Sequence, residues 1–425
     1  MAGLDLTAAA NVLKTNYQGP LREQLNNANI LLKRVRKNSK NYVGKEAHVP
    51  LHKGRNAGVG ARAEGAALPT AGYQGYEKAI FTPKYIYGQI LLNGPTIAAM
   101  KSDKGSFIRA MRSETKGLLV DMKANLNRQV WRDGSAILTR CGTTSAAALI
   151  VVESTKYISV GQVVAVLQIA DGATDAGTVN GTVTAVNSAT TFTISSADPA
   201  TLTTSDADCV VEVGSRLAAA WGTAHEIFGI HAIVSKYDPG VDEAGAAHTY
   251  LTDDFGGIAR ATNVWWQANQ VDAGTAAPLT LLLMQEAWDK CDFEAAINPG
   301  LIATDHFQKR MYGDLLTADK RYPAGGEITL DGGYRALEFN GTPLIADRDA
   351  NPIYNPGAVL DRMYFIDMDA LEWQLLEDFQ WMDEDGAVLS RVSGYDQYEA
   401  TMYIYTQFGA DRCNSSCLLC DLAVT

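Results

Sequence analysis

The sequence predicts an α+β chain in which a separate all-β domain follows a long helix, and three observations predict it. Residues 103–133 carry one apolar stripe, far longer than an average globular helix. Residues 142–215 hold a single Lys, Lys156, with no Arg between Arg140 and Arg216, and are dominated by Thr, Ser, Val, Ala and Gly. From 216 onward short helical and extended patterns mix, and the tail alternates as strands.

In chain order, Leu21, Leu25, Ala28, Leu32 and Val35 recur at spacings of four and three, a helical stripe begun at Pro20. Its far end is basic: Lys33, Arg34, Arg36, Lys37 and Lys40 suit a helix C-terminus or a phosphate. Residues 44–93 read as a long hairpin. One strand alternates around Ala47, Val49 and Leu51, and the return runs from Ile80 through Tyr85 and Tyr87 to Leu91. Between them, 54–77 holds six glycines and almost no large apolar group. So long a loop cannot build a core, and it needs another surface to lie on, such as a neighbouring copy.

The long helix follows, with Ser102 and Asp103 as caps, and Phe107, Met111, Leu118, Met122, Leu126 and Val130 on one side. Thirty residues make a rod of about 45 Å. Within 142–215, Val151–Ile158, Gln162–Ile169, Thr178–Val186, Thr190–Ile194 and Cys209–Val213 read as strands separated by Asp-Gly and Asn-Gly turns. Beyond it, Arg216–Thr223 and Gly256–Gln267 read as helical or partly so. A helix over 279–293 places Leu281, Met284, Trp288 and Cys291 on one side. Leu301–Ala303 is a strand, Asp305 caps a helix to Leu316, 326–348 is extended, and Met363–Met368, Ala387–Val392 and Ala400–Thr406 are strands.

At 425 residues with 47% hydrophobic and 20% charged residues, the chain can bury a large core, so general disorder is excluded. The longest apolar run, Ala146–Val152, is far short of the roughly 20 residues of a membrane helix, so no membrane association is expected. Met1–Asp5 lacks the features of a secretory signal. Charge is segregated: 1–140 holds 22 Lys/Arg and 9 Asp/Glu, whereas 141–425 holds 14 and 39. A basic arm on an acidic body binds either nucleic acid or the acidic body of a neighbouring copy.

No catalytic, cofactor or metal site is expected. Cys413, Cys417 and Cys420 have the spacing of an iron–sulfur triplet. Only five residues follow them, and small buried side chains in a closing strand are the plainer reading. Gly58–Gly65 is glycine-rich but lacks the G-x-G-x-x-G and G-K-[ST] signatures. Asp383-Glu384-Asp385-Gly386 fails as a calcium loop and reads as a turn. His48 and His52 lie four apart across Pro50 in a strand, and no nucleophile elbow occurs.

The order of parts, and several stretches within it, resemble the major capsid proteins of tailed bacteriophages with the Hong Kong 97 fold. These stretches are Gly19–Leu25, Val49–His52, Gly58–Gly65 with Leu68-Pro69, Gly94–Ser102, Trp131 with Asp133-Gly134, Phe339–Pro343, and Asp385–Leu389. The resemblance implies an N-terminal arm (1–43), an extended loop (44–93), a spine helix in the peripheral domain (94–141) and an inserted β domain (142–215). Further peripheral parts follow at 216–269 and 366–425, around an axial domain at 270–365.

It also implies self-assembly through pentamers and hexamers into an icosahedral shell around packaged double-stranded DNA, held without sequence-specific binding. A portal, a separate scaffolding protein and a decoration protein are implied partners. The implied location is the virion capsid, after assembly in the host bacterial cytoplasm. Expected assembly contacts are Arg55, Arg62, Glu64 and Glu77 on the loop, with Arg109 and Arg112 on the helix. Lys45, Lys53 and Lys78 lie where some relatives cross-link, without a specific placement. The alternatives are an encapsulin-like cellular shell and a DNA-binding protein that uses its basic arm; the pI near 5.0 opposes the latter.

Overall fold

The computed structural model describes residues 31, 34–39, 42–95, 104–144, 148–168, 180–195, 203–205, 207–215, 224–239, 254–318, 327–330, 334–350, 361–382 and 390–424. The chain divides into two compact units, one of residues 1–34, 83–128 and 375–406, the other of 35–82, 129–374 and 407–425.

In the first unit, strand Lys84–Asn93 pairs antiparallel with strand Gln397–Ala410, in unbroken register from Gln397↔Asn93 to Thr406↔Lys84. Ile86, Ile90, Leu92, Ala400, Met402 and Ile404 are buried, and the residues that alternate with them are at least partly exposed. Successive side chains point to opposite faces, so one face of the ribbon is covered. The helix Lys104–Val130 covers it: Gly88 lies so near that an added Cβ would sit 2.7 Å from Met122 Sδ and 2.9 Å from Leu118 Cδ1. The expected stripe is seen in Met122, Leu126 and Val130, all buried, while the expected caps Ser102 and Asp103 lie outside the described residues.

The second unit is built on a seven-stranded mixed sheet. Its order is Asn269–Ala277, Cys417–Leu422, Asp361–Ile366, Leu301–Thr304, Thr342–Ala346, Tyr334–Phe339 and Glu327–Leu330. Helices Leu281–Ala295 and His306–Ala318 begin at side-chain caps: Thr280 Oγ1 accepts from Leu283 N at 3.2 Å, and Asp305 Oδ1 from Gln308 N at 2.8 Å. Met284, Trp288 and Cys291 form the buried side of the first helix, as their spacing predicts, and share a core with Tyr312, Leu344 and Leu419.

Ahead of that sheet lies a six-stranded antiparallel one with its own core of Ile150, Val164, Val166, Val183, Phe192 and Val210, among others. Its strands Val163–Gln168, Gly181–Ser188, Thr191–Ser195 and Asp208–Glu212 follow the sequence reading. It also takes in Ile137–Arg140, upstream of residue 142, and Leu138 belongs to its core. Tyr157 hydroxyl and Lys156 Nζ fasten it to Asp349 Oδ1 at 2.7 and 2.8 Å.

Four readings need correction. The return strand of the hairpin is not continuous: Gly75–Phe81 pairs with Glu46–Gly54, and a break at Thr82-Pro83 precedes Lys84–Asn93. Proline has no N–H for a ladder and fixes its φ. The stretch 256–267, read as helical or partly so, is helical only in two three-residue 3₁₀ turns, Phe255–Gly257 and Val264–Trp266; Gly256 and Gly257 take φ of 66° and 71°, outside the helical region. The strand read over 151–158 is limited to Leu149–Val151, because the backbone N–H groups of Val152 and Thr155 bond to Thr190 and Ala189 in a turn.

The last correction concerns the tail. Cys417–Leu422 pairs between Asn269–Ala277 and Asp361–Ile366, within the sheet of the segment read as axial, not with the long-helix part. Its run of Leu418, Leu419, Cys420 and Leu422 is fully buried, the composition of a central strand covered on both faces. The arm helix (apart from residues 31 and 34), Arg216–Thr223 and the Asp383–Gly386 turn lie outside the described residues.

Candidate assembly surface

The hairpin Glu46–Gly54/Gly75–Phe81 rises from a fixed base. Ala47, Val49, Leu51, Ala79 and Phe81 alternate into the interior. Phe81 meets Phe255 at 5.3 Å between ring centroids, and Phe255 stacks on Trp266 at 5.9 Å. Trp266 Nε1 donates to Phe255 O at 2.9 Å.

Arg260 locks this stack. It is fully buried, with its guanidinium 4.9 Å from the Phe255 ring centroid. It donates to Ala232 O (2.7 Å), Tyr237 O (2.8 Å), Ile233 O (3.1 Å), Trp266 O (3.2 Å) and Cys413 Sγ (3.4 Å). Four carbonyls and one sulfur on three chain segments are thus tied to one planar cation, a task suited to a guanidinium fork.

Above this base the chain changes character. Residues 55–74 have no helix or strand, and nearly all are exposed. The two limbs touch near their roots, backbone against backbone. A Cβ on Gly72 would lie 2.5 Å from Asn56 Oδ1 and 3.0 Å from Ala57 N; one on Gly58 would lie 2.9 Å from Gly72 N and Thr70 O. Asn56 Oδ1 accepts from Gly58 N at 2.7 Å and closes the neck. These glycines are therefore required by close approach. Beyond the neck Val59 and Leu68, and beside it Tyr73, are 85–87% exposed. Large apolar side chains held this far out on an ordered base make the loop a candidate contact surface.

The expected contact residues differ in what the structure makes of them. Arg55, Arg62 and Glu64 are exposed on the loop, with Arg62 Nη1 donating only to its neighbour Ala61 O at 2.9 Å. Glu77 is engaged within its own hairpin, by Lys53 Nζ at 2.5 Å. Arg109 and Arg112 lie on the long helix, but their side chains are outside the described residues. Part of the basic arm is satisfied by its own chain: Arg36–Asn38 pairs with Glu372–Gln374, Arg36 Nη2 meets Glu372 Oε1 at 2.6 Å, and Lys37 Nζ lies 4.7 Å from the Trp373 ring centroid. At the hairpin root, Lys53, Arg55, Trp265, Asp411 and Arg412 line a cleft of about 360 Å³. Burial there pushes the Asp411 carboxyl up, against the pull of Arg412.

The cysteines take no part in a shared cage of thiols. Cys413, Cys417 and Cys420 are buried thiols. Burial pushes the Cys413 thiol up, and a hydrogen bond with Cys291, followed by burial, holds Cys417 well above the ordinary thiol range. Protonated buried thiols are poor ligands and nucleophiles. Cys420 sits with Asp272 and Asp421, their ligand atoms within 4.8 Å of one another. No described helix is long and apolar enough to cross a membrane.

No family model matches this sequence, and no curated protein does. Solved structures do. The chain is similar to the capsid asymmetric unit of cyanophage A-1(L), at 13% identity and a TM-score of 0.58, over 99% of this chain and 98% of that one. It also aligns with a holo-SrpI encapsulin complex of Synechococcus elongatus PCC 7942 (9% identity, TM-score 0.48, 100% and 98% covered). A Mycobacterium phage Bobi structure aligns as well (10% identity, TM-score 0.45, 98% of each chain). The long helix, hairpin loop and mixed sheets of this chain share the Hong Kong 97-like fold of that capsid structure.

Proposed function

We propose that the chain is the major capsid protein of a tailed bacteriophage, a structural subunit that assembles through pentamers and hexamers into an icosahedral shell around packaged double-stranded DNA. One observation carries the reading beyond fold: a rigidly rooted hairpin ends in an exposed loop whose apolar side chains Val59 and Leu68 are uncovered among the described residues. A loop that reaches onto the next copy makes a heterologous contact, and such contacts make rings where the rotation between copies closes. Individual exposed ion pairs at Arg55, Arg62 or Glu64 contribute roughly 0–1 kcal/mol each, so shell stability comes from repetition.

In this reading 1–43 is the arm, 44–93 the extended loop, 94–141 the spine helix and 142–215 an inserted domain. Residues 216–269 and 366–425 supply further peripheral parts, and 270–365 the axial domain. The tail strand Cys417–Leu422 pairs with Asn269–Ala277 and Asp361–Ile366. Scaffolding, portal and decoration proteins are the partners, the DNA is held without sequence readout, and assembly takes place in the host cytoplasm. Deleting 55–74 across the Gly54–Gly75 root, with sedimentation and circular dichroism as readouts, tests the reading. The expected product is a folded, unassembled subunit; normal particles would refute the role of the loop.

A further inference from the structure

The cleft of about 360 Å³ at the hairpin root lies wholly within the second unit. Its size falls at the lower end of the roughly 300–1,000 Å³ of small-molecule sites. The hairpin contributes Lys53 and Arg55, the turn at 264–266 contributes Trp265, and the stretch after Gln397–Ala410 contributes Asp411, Arg412 and Asn414. Lys53 is held by Glu77, but the other polar groups are uncommitted. Among the described residues Arg55 makes no hydrogen bond or ion pair. Arg412 makes one ion contact, with Asp367 Oδ2 at 3.7 Å, too long for a hydrogen bond. Asp411 Oδ1 is buried with no hydrogen-bond partner among the described residues. At Asn414 the backbone O accepts from Asn269 Nδ2 at 2.7 Å, and the side-chain amide makes no hydrogen bond among them. The aromatic wall is fixed in place. Trp265 lies 5.7 Å from Trp266 between ring centroids, its Nε1 donates to Asn263 Oδ1 at 3.3 Å, and Trp266 belongs to the stack that Arg260 clamps.

We infer that this cleft binds a single nucleotide, with its phosphate on Arg55 and Arg412, its base against Trp265, and the base edge donating to Asp411. Guanidinium forks match phosphate oxygens in geometry and charge. Every base has a flat face that stacks on an aromatic ring. The carboxyl sets the orientation. It repels phosphate and accepts N–H groups, so the phosphate lies toward the two arginines and the base edge toward Asp411. Burial pushes the Asp411 carboxyl up, and an N–H donor arriving at Oδ1 favours its charged form. Guanine offers adjacent N1–H and N2–H groups, whereas uracil offers one N–H between two carbonyls, so guanine is the preferred base. The same chemistry is met by a free nucleotide and by an unpaired nucleotide within a single strand. An acidic peptide also suits the arginines, but it brings no flat ring to Trp265. The site is made by one copy of the chain and goes beyond the capsid reading.

The test is equilibrium dialysis of the full chain against labelled 5′-GMP, 5′-UMP, inorganic phosphate and a short single-stranded oligonucleotide containing guanine. GMP is expected to saturate a single site per chain, about tenfold tighter than UMP or phosphate, a change within the range that base stacking supplies. Arg55→Gln, at an exposed position, weakens GMP binding about tenfold, as the loss of a charged phosphate contact predicts. Trp265→Leu weakens GMP binding toward that of phosphate, and Asp411→Asn removes most of the preference over UMP. Arg62→Gln, an exposed cation outside the cleft, leaves binding unchanged. Circular dichroism checks each fold, and the exposed Arg55 and Arg62 variants decide the matter if the other two fail to fold. A strand that binds about tenfold tighter than GMP assigns the site to nucleic acid, and equal binding assigns it to the free nucleotide; both support the proposal. No saturable binding of either, phosphate as tight as GMP, equal losses in the Arg55 and Arg62 variants, or displacement of GMP by an aspartate-rich peptide at equal concentration would overturn it. None of these outcomes bears on shell assembly, so this site and the capsid reading fail separately.

Discussion

Replacing Arg260 with Met tests whether the hairpin root is as rigid as the capsid reading requires. The side chain is fully buried and makes five hydrogen bonds, four of them to backbone carbonyls of Ala232, Ile233, Tyr237 and Trp266. Bonds from a charged donor contribute about 1.5–3 kcal/mol each, but they do not add, and removing the cation also removes its desolvation cost. Four carbonyls left buried without this donor set the net loss at about 3–5 kcal/mol, the range seen when one partner of a buried charged network is deleted.

At 1.36 kcal/mol per tenfold, that raises local opening on the order of 10²–10³-fold or more. Hydrogen exchange read by mass spectrometry on peptides covering 232–237, 254–267 and 411–416 measures it directly. Arg260→Lys should recover less than half of the loss, because a single ammonium cannot span the same fork. A change below about 1 kcal/mol in Arg260→Met would refute the assignment of Arg260 as the clamp on the Phe255–Trp266 stack.

Gly72→Ala should leave the fold intact yet cut assembly, because its Cβ would collide with Asn56 and the Ala57 backbone and splay the neck; equal shell yield by sedimentation would refute this. Asp421→Asn should stabilise the tail strand at pH 7. Burial first, and the Asp272 carboxylate second, raise the Asp421 carboxyl, so the folded chain favours its protonated form. The stability tied to that proton is complete below the unfolded value near 3.8 and is lost as pH rises through the raised one. Asn keeps the polar shape and suits the φ of 59° there. With partial exposure the gain is about 0.5 kcal/mol at pH 7 and vanishes toward pH 4, and urea titration at both pH values checks it. Excising 137–211, whose ends Ile137 and Val211 are paired neighbours, should give a better-folded subunit than excising 142–215, which strands Leu138 of the inserted core. Soluble yield and thermal midpoint compare the two.

The periodic elements were legible in the sequence because burial writes directly into spacing. The stripe through Met122, Leu126 and Val130, the helix over 279–293, the cap Asp305 with its helix, and four of the five inserted strands follow from local chemistry. The break at Pro83 was signalled by the proline, but alternation continues on both sides of it and masks the change of partner. Arg260 stands among small and apolar residues with no spacing that marks it as buried; only the meeting of three segments makes it a clamp. The glycines at 58 and 72 stand out in the sequence only as part of a glycine-rich loop, whereas the structure uses them for close approach. Glu77 was expected to face a neighbour and is held by Lys53, a cross-strand pairing that needs the register of the hairpin.

The most direct measurement is negative-stain electron microscopy of the full chain, expressed with and without candidate scaffolding proteins and treated with nuclease. The account predicts closed shells, or five- and six-membered rings that survive nuclease. A uniform monomer under every one of these conditions would contradict it.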